Sequence, residues 1–141
     1  MLSNKITNPI TMDKASGLSS VSKYRLTKMD GANENTFTYC GDGEKNAFGA
    51  TDSGLSAANV TSGFTECAIN PLVPGSVLEL EAHEAIAVNQ PFTCAALGRI
   101  KNITTNATPE AQFAYGFARQ AANAQGDIIS CYVLPGENYV K

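Results

Sequence analysis

In the second half of the chain the apolar residues come in short runs, several of period two. Glycine, proline or asparagine cuts off each run, and that punctuation points to strands. Val77, Leu78 and Leu80 open one run, with Glu79 and Glu81 facing out between them. Ala85 to Val88 is a second short apolar stretch, ended by Asn89 and Pro91, and Phe92 to Ile103 continues with a break at Gly98. Asp127 to Leu134 (DIISCYVL) is the clearest strand: a Gly-Asp turn precedes it and Pro135-Gly136 stops it.

Between these runs, Thr108 to Gln125 carries two signatures. Thr108 as N-cap, Pro109 at the first turn and Gly126 as a stop spell a helix. The same residues alternate, with Phe113, Tyr115 and Phe117 on one face and Ala114, Gly116 and Ala118 on the other. Gly116 would cost a helix about 1 kcal/mol relative to alanine, which weighs against the helix but leaves both readings open. Upstream, Tyr24 to Met29 and Thr36 to Cys40 (TFTYC) are strand candidates joined by an Asp30-Gly31 turn, and Phe64 to Ile69 is a further short one. Cys40 to Gly63 is glycine-rich and polar and reads as a long functional or mobile loop. Residues 1–22 show neither period, and Leu2, Ile6, Ile10, Met12 and Leu18 stand singly. That segment reads either as a disordered terminus or as an arm that orders on a partner.

The 141 residues fit one domain that needs no metal or disulfide staple. Only 16% are charged, below the roughly 25% of ordinary soluble domains, and Asn, Thr, Ser, Gly and Ala make up the difference. Such a neutral, hydrogen-bonding surface suits packing against other proteins. A net charge of −3 and few clustered basic residues argue against nucleic-acid binding. Lys23, Arg25 and Lys28 form the densest basic group, and their alternation with apolar residues puts them on the solvent face of a strand. No apolar run is long enough to span a bilayer, and the N-terminus lacks the apolar core of a secretory signal.

Cys40, Cys67, Cys94 and Cys131 are singly spaced, form no C-x-x-C pair, and read as four reduced, buried thiols. His83 is the lone histidine and reads as a surface residue. Asp42 and Glu44 lack the spacing of a calcium loop, and Glu79, Glu81 and Glu84 read as a solvated edge that discourages wrong strand pairing. No catalytic residue, cofactor-binding residue or metal ligand is assigned, and an enzyme is not expected.

The succession AHEAIAVN (82–89), PFTCAALGRI (91–100) and FAYGFARQAANAQGDIISCYVL (113–134) resembles the small head decoration, or capsid cement, proteins of tailed bacteriophages. The resemblance covers roughly residues 75 to 134 and implies a strand within the ambiguous segment, so Phe113 to Ala121 is read as a strand. It implies a β-domain on the capsid exterior, made in the host cytoplasm, that clamps neighbouring major capsid subunits. Its partners would be the major capsid protein and further copies of itself, as a trimer on local three-fold axes or a dimer at two-folds. The alternative is a receptor- or carbohydrate-binding β-module of a phage tail or surface adhesin. The expected fold is all-β: a small barrel or sandwich of seven to eight strands with little helix, spanning residues 23–141 behind an extended arm at 1–22. Ile6, Pro9, Ile10 and Met12 of that arm are the expected partner-binding residues, and no nucleic acid, membrane or cofactor is expected.

Overall fold

The computed structural model describes residues 9–103, 112–134 and 139–140. Five strands of the first half are β1 (Ile10–Lys14), β2 (Leu26–Met29), β3 (Thr36–Tyr39), β4 (Gly49–Thr51) and β5 (Glu66–Pro71), with a five-residue helix α1 (Ala57–Thr61) before β5. They close into a barrel in the order β1-β3-β2-β4-β5. The seam is made by β1, which runs antiparallel to β5 from Ile10↔Ile69 to Asp13↔Glu66 and parallel to β3 at Asp13↔Thr36 and Lys14↔Phe37. Helix α1 starts where Ser56 and Asn59 form a reciprocal capping box.

The second half supplies β6 (Val77–Glu81), β7 (Pro91–Cys94), β8 (Ile100–Asn102), β9 (Gln112–Phe113), β10 (Gly116–Ala118), β11 (Ile128–Val133) and β12 (Tyr139–Val140). A five-stranded sheet runs β6-β11-β10-β7-β8, and β9 pairs with β12 in a separate ribbon. In the β6–β11 ladder Leu78 faces Cys131 and Leu80 faces Ile129, all four buried, while Glu79 and Ser130 pair on the outer side. On the same outer side Phe117 lies opposite Tyr132, their rings stacked at 5.3 Å. The Gly-Asp turn before β11 is held by Asp127, whose carboxylate accepts from the Asn123 and Ala124 amides, with Gly126 in the left-handed region (φ 97°).

Two apolar clusters result. One joins Met12, Val21, Phe37, Cys67 and Ile69, with Leu18, Phe48 and Leu55 packed against it. The other spans both sheets: Leu26, Cys40 and Ala50 of the barrel half meet Leu78, Leu80, Phe92, Ile100, Tyr115, Ile129 and Val133. Leu26 and Ala50 are register partners and so share a face, while Thr27 pairs with Gly49 on the opposite face, its hydroxyl donating to the Gly49 carbonyl. Close approach demands glycine at Gly116, where a Cβ would strike the Tyr132 carbonyl, and at Gly98, where it would strike the Leu26 carbonyl.

The all-β fold with little helix is as expected, and barrel and sheet are both present. Three expectations need correction. The described residues hold twelve strands where seven or eight were expected, because several span only two to four residues and carry no periodic signature. The extended arm does not reach residue 22: β1 is a barrel strand, Met12 is 2% exposed, and Val21 bridges Leu55. Residues 1–8 lie outside the described residues. The Cys40–Gly63 loop contains β4 and α1. The strand reading of Phe113 to Ala121 agrees with the structure, which has β9 and β10 and no helix among the described residues of 108–125; Thr108 to Ala111 lie outside them.

A chain beginning at Lys23 loses β1 together with Met12 and Val21. Opening the barrel and removing a buried methionine, worth about 2–5 kcal/mol alone, should abolish the cooperative thermal transition and the β-type circular dichroism. A sharp transition in the truncated chain would show that β1 is dispensable.

All four cysteines are free and buried. Burial pushes the Cys131 thiol from the ordinary 9.0 up to about 12 and raises Cys67 as well. Between those values the unfolded chain releases a thiol proton that the folded chain keeps. Stability is therefore full below pH 9 and declines above it, by about 1.4 kcal/mol per pH unit for each such thiol. Thermal melts should show a midpoint that falls above pH 9, with a shallower decline in Cys131→Ala. Equal slopes in the two proteins would contradict the assignment.

Candidate functional site

The four residues expected to bind a partner do not form one surface. Pro9 and Ile10 are exposed at the start of β1, Ile10 by 44%, but Met12 points into the barrel cluster and has no free face to offer. Ile6 lies outside the described residues. Asp42 and Glu44 are each matched by a lysine, with Lys101 Nζ 2.7 Å from Asp42 and Lys28 Nζ 2.7 Å from Glu44. The Glu44 hydrogen bond raises the Lys28 pKa above its ordinary range. His83 is half-buried, and its Nδ1 has no hydrogen-bond partner among the described residues.

The polar chemistry of the fold concentrates where barrel and sheet meet. Tyr115, between β9 and β10, is 5% exposed and sends its hydroxyl into the segment after β3, donating to the Glu44 carbonyl at 2.6 Å and accepting from the Ala47 amide at 3.2 Å. Its ring packs edge-on against Phe113. Burial raises the Tyr115 pKa, so the phenol stays a donor at any ordinary pH. The Cys40 sulfur lies 4.0 Å from that hydroxyl, and the Cys94 thiol donates to the Ala95 carbonyl at 3.3 Å. The interaction between the two thiols, with burial, raises the Cys94 pKa, and the same interaction lowers that of Cys40. Backbone bonds cross the same seam from Gly43 N to Cys94 O, from Gly98 N to Cys40 O and from Glu81 N to Tyr24 O.

The seam also holds a charge cluster that the sequence reading placed on the solvent. Arg25 is 7% exposed. Its Nη2 lies 3.0 Å from Glu81, its Nη1 donates to the Leu97 carbonyl at 3.0 Å, and its guanidinium carbon sits 5.6 Å from the centre of the Tyr39 ring. Arg99 Nε donates to the same Glu81 oxygen. Glu81 is thus shared by two arginines rather than facing solvent, whereas Glu79 is exposed as expected. Two residues beside the cluster are left-handed without being glycine, Tyr24 at φ 66° and Leu97 at φ 59°. Each costs about 1–3 kcal/mol that the surroundings must supply. Arg25 was missed because its counter-charge lies 56 positions further on; the dense basic group around it was the one available signal.

Together these features define an all-β protein in which a closed barrel and an open sheet share one core, with a partly buried ion cluster at their junction. No family model matches the chain, and no curated protein matches it. Among solved structures it is similar to the crystal structure of the head fiber gp8.5 N base in bacteriophage phi29. The TM-score is 0.66 at 13% identity, covering 94% of this chain and 98% of that one. At that identity the likeness shows the fold: this chain is built like the base of a phage head fiber.

Tyr115→Phe removes one hydroxyl and leaves the Glu44 carbonyl and the Ala47 amide without it. A buried hydrogen-bonding group left unpaired costs about 1–3 kcal/mol, so the melting temperature should drop by several degrees. Hydrogen exchange at Ala47 should accelerate. An unchanged Ala47 amide would show that Tyr115 does not anchor the segment after β3.

Proposed function

We propose that this chain is a structural protein of a tailed-phage head that seats on the outside of the capsid and bridges neighbouring major capsid subunits. The observation that carries the reading is the fold likeness to the phi29 head fiber base, which runs over nearly the whole of both chains. The succession of residues 75–134 that resembles capsid decoration proteins supports it independently of the coordinates. So does the weakly charged, hydrogen-bonding composition.

Rigid β-architecture suits such a role. A body whose two sheets share one core can transmit load between contacts at either end. Presented as an oligomer, several modest contacts on a regular shell gain avidity of about 10² to 10⁴ over one contact. The carbohydrate-binding alternative draws little from the geometry, because Phe117 and Tyr132 stack on each other, half-buried, and the exposed Phe64 supplies a single ring.

Purified protein should co-sediment with phage capsids stripped of their decoration protein, saturate at a fixed copy number, and raise the temperature at which those capsids disassemble. A chain beginning at Pro9 keeps β1 and measures what the segment containing Ile6 adds to that binding. Failure to bind capsids, combined with retention on a glycan array, would establish the alternative.

A further inference from the structure

Beside the Arg25–Glu81–Arg99 cluster lies a cavity of about 320 Å³, lined by Ser19, Ser20, Arg25, Tyr39, Leu97 and Arg99 among others. Two guanidinium charges face one carboxylate in the cluster, which leaves one net positive charge at this spot in a chain whose net charge is −3. None of the described residues lining the cavity is acidic. The donor supply is also unspent. Arg25 uses Nη1 on Leu97 and Nη2 on Glu81, and its buried Nε has no partner. Arg99 bonds through Nε, so its terminal nitrogens are left over among the described contacts.

At the rim stands Leu97, 57% exposed and held left-handed, its carbonyl turned to Arg25. A strained backbone that presents an apolar side chain to solvent next to unspent guanidinium donors has the form of a recognition site.

We propose that this cavity is a docking site for a carboxylate side chain of a partner protein, an Asp or Glu within an acidic segment that also lays an apolar residue on Leu97. The charge count favours a carboxylate over a phosphate. One negative charge neutralises the cluster, whereas a phosphate dianion would leave an excess beside Glu81. The planar fork of Arg99 matches a carboxylate in two parallel bonds, and the Ser19 and Ser20 side chains sit where further hydroxyl donors would be useful. The inference names the chemistry of the capsid contact and in that sense rests on the function proposed above.

The test uses the full chain. Sodium acetate and N-acetyl-glutamate amide are titrated in at constant ionic strength, with the Nε–Hε resonances of Arg25 and Arg99 followed by NMR. Sodium phosphate and sodium chloride run as parallel arms. Saturable shifts at both arginines with the carboxylates, absent with chloride and weaker with phosphate, are expected. Arg99→Gln should lose them while keeping a cooperative melt, since Arg99 is only partly buried and Glu81 retains Arg25 as a partner. The same variant should weaken capsid co-sedimentation by about tenfold or more, the scale of a lost charge-assisted bond. A stronger response to phosphate, or no saturable response to carboxylate, overturns the proposal. Wild-type affinity of Arg99→Gln for capsids also overturns it, while leaving the capsid role intact. If the wild-type chain itself does not bind capsids, the capsid role fails and the titration alone decides the site.

Discussion

The apolar seam between barrel and sheet is what the rest of the structure depends on. Strands of three to six residues bury little by themselves, and here part of the barrel's apolar side finds its partners outside it. Leu26, Cys40 and Ala50 are closed over by Leu80, Phe92, Ile100 and Ile129. Each fully buried leucine, isoleucine or phenylalanine in that seam contributes about 1.5–3 kcal/mol, so neither half could give it up and remain well packed. Gly98 and Gly116 exist because backbones must touch there.

The polar groups at the seam follow from that packing. Bringing two sheets together strands the ends of β3 and β6 away from water, and their needs are met across the junction. Tyr115 satisfies the segment after β3, and Glu81 is met by Arg25 and Arg99. A partly buried carboxylate shared by two arginines is weak as a source of stability, but it leaves positive charge and spare donors at the surface. The junction that makes the fold possible is therefore also where a partner has something to bind.

Much of this was legible in the sequence, and what was not has a physical reason. The runs VLEL and DIISCYVL became β6 and β11 because their alternation matches a sheet with one buried face. Strand β1 gave no such signal: in a closed barrel Met12 needs only one inward position, and its neighbours Phe37, Cys67 and Ile69 come from far along the chain. Strand β4, Gly-Ala-Thr, looks like loop because a side chain at Gly49 would collide with Ile69 and the Asn70 carbonyl. The four buried thiols were readable from composition and spacing. Arg25 was not, because a charge that alternates with apolar residues looks the same whether it meets water or a carboxylate 56 residues away.

The seam joins the fold to the proposed role, and one measurement addresses both: a cryo-electron microscopy reconstruction of decorated capsids at a resolution that shows side chains. The expected map has the barrel and sheet as one rigid body on the outer surface, in contact with more than one major capsid subunit, with an acidic side chain of the shell against Arg25 and Arg99. A shell without added density, or a body attached to a single subunit with both arginines turned to solvent, would contradict it.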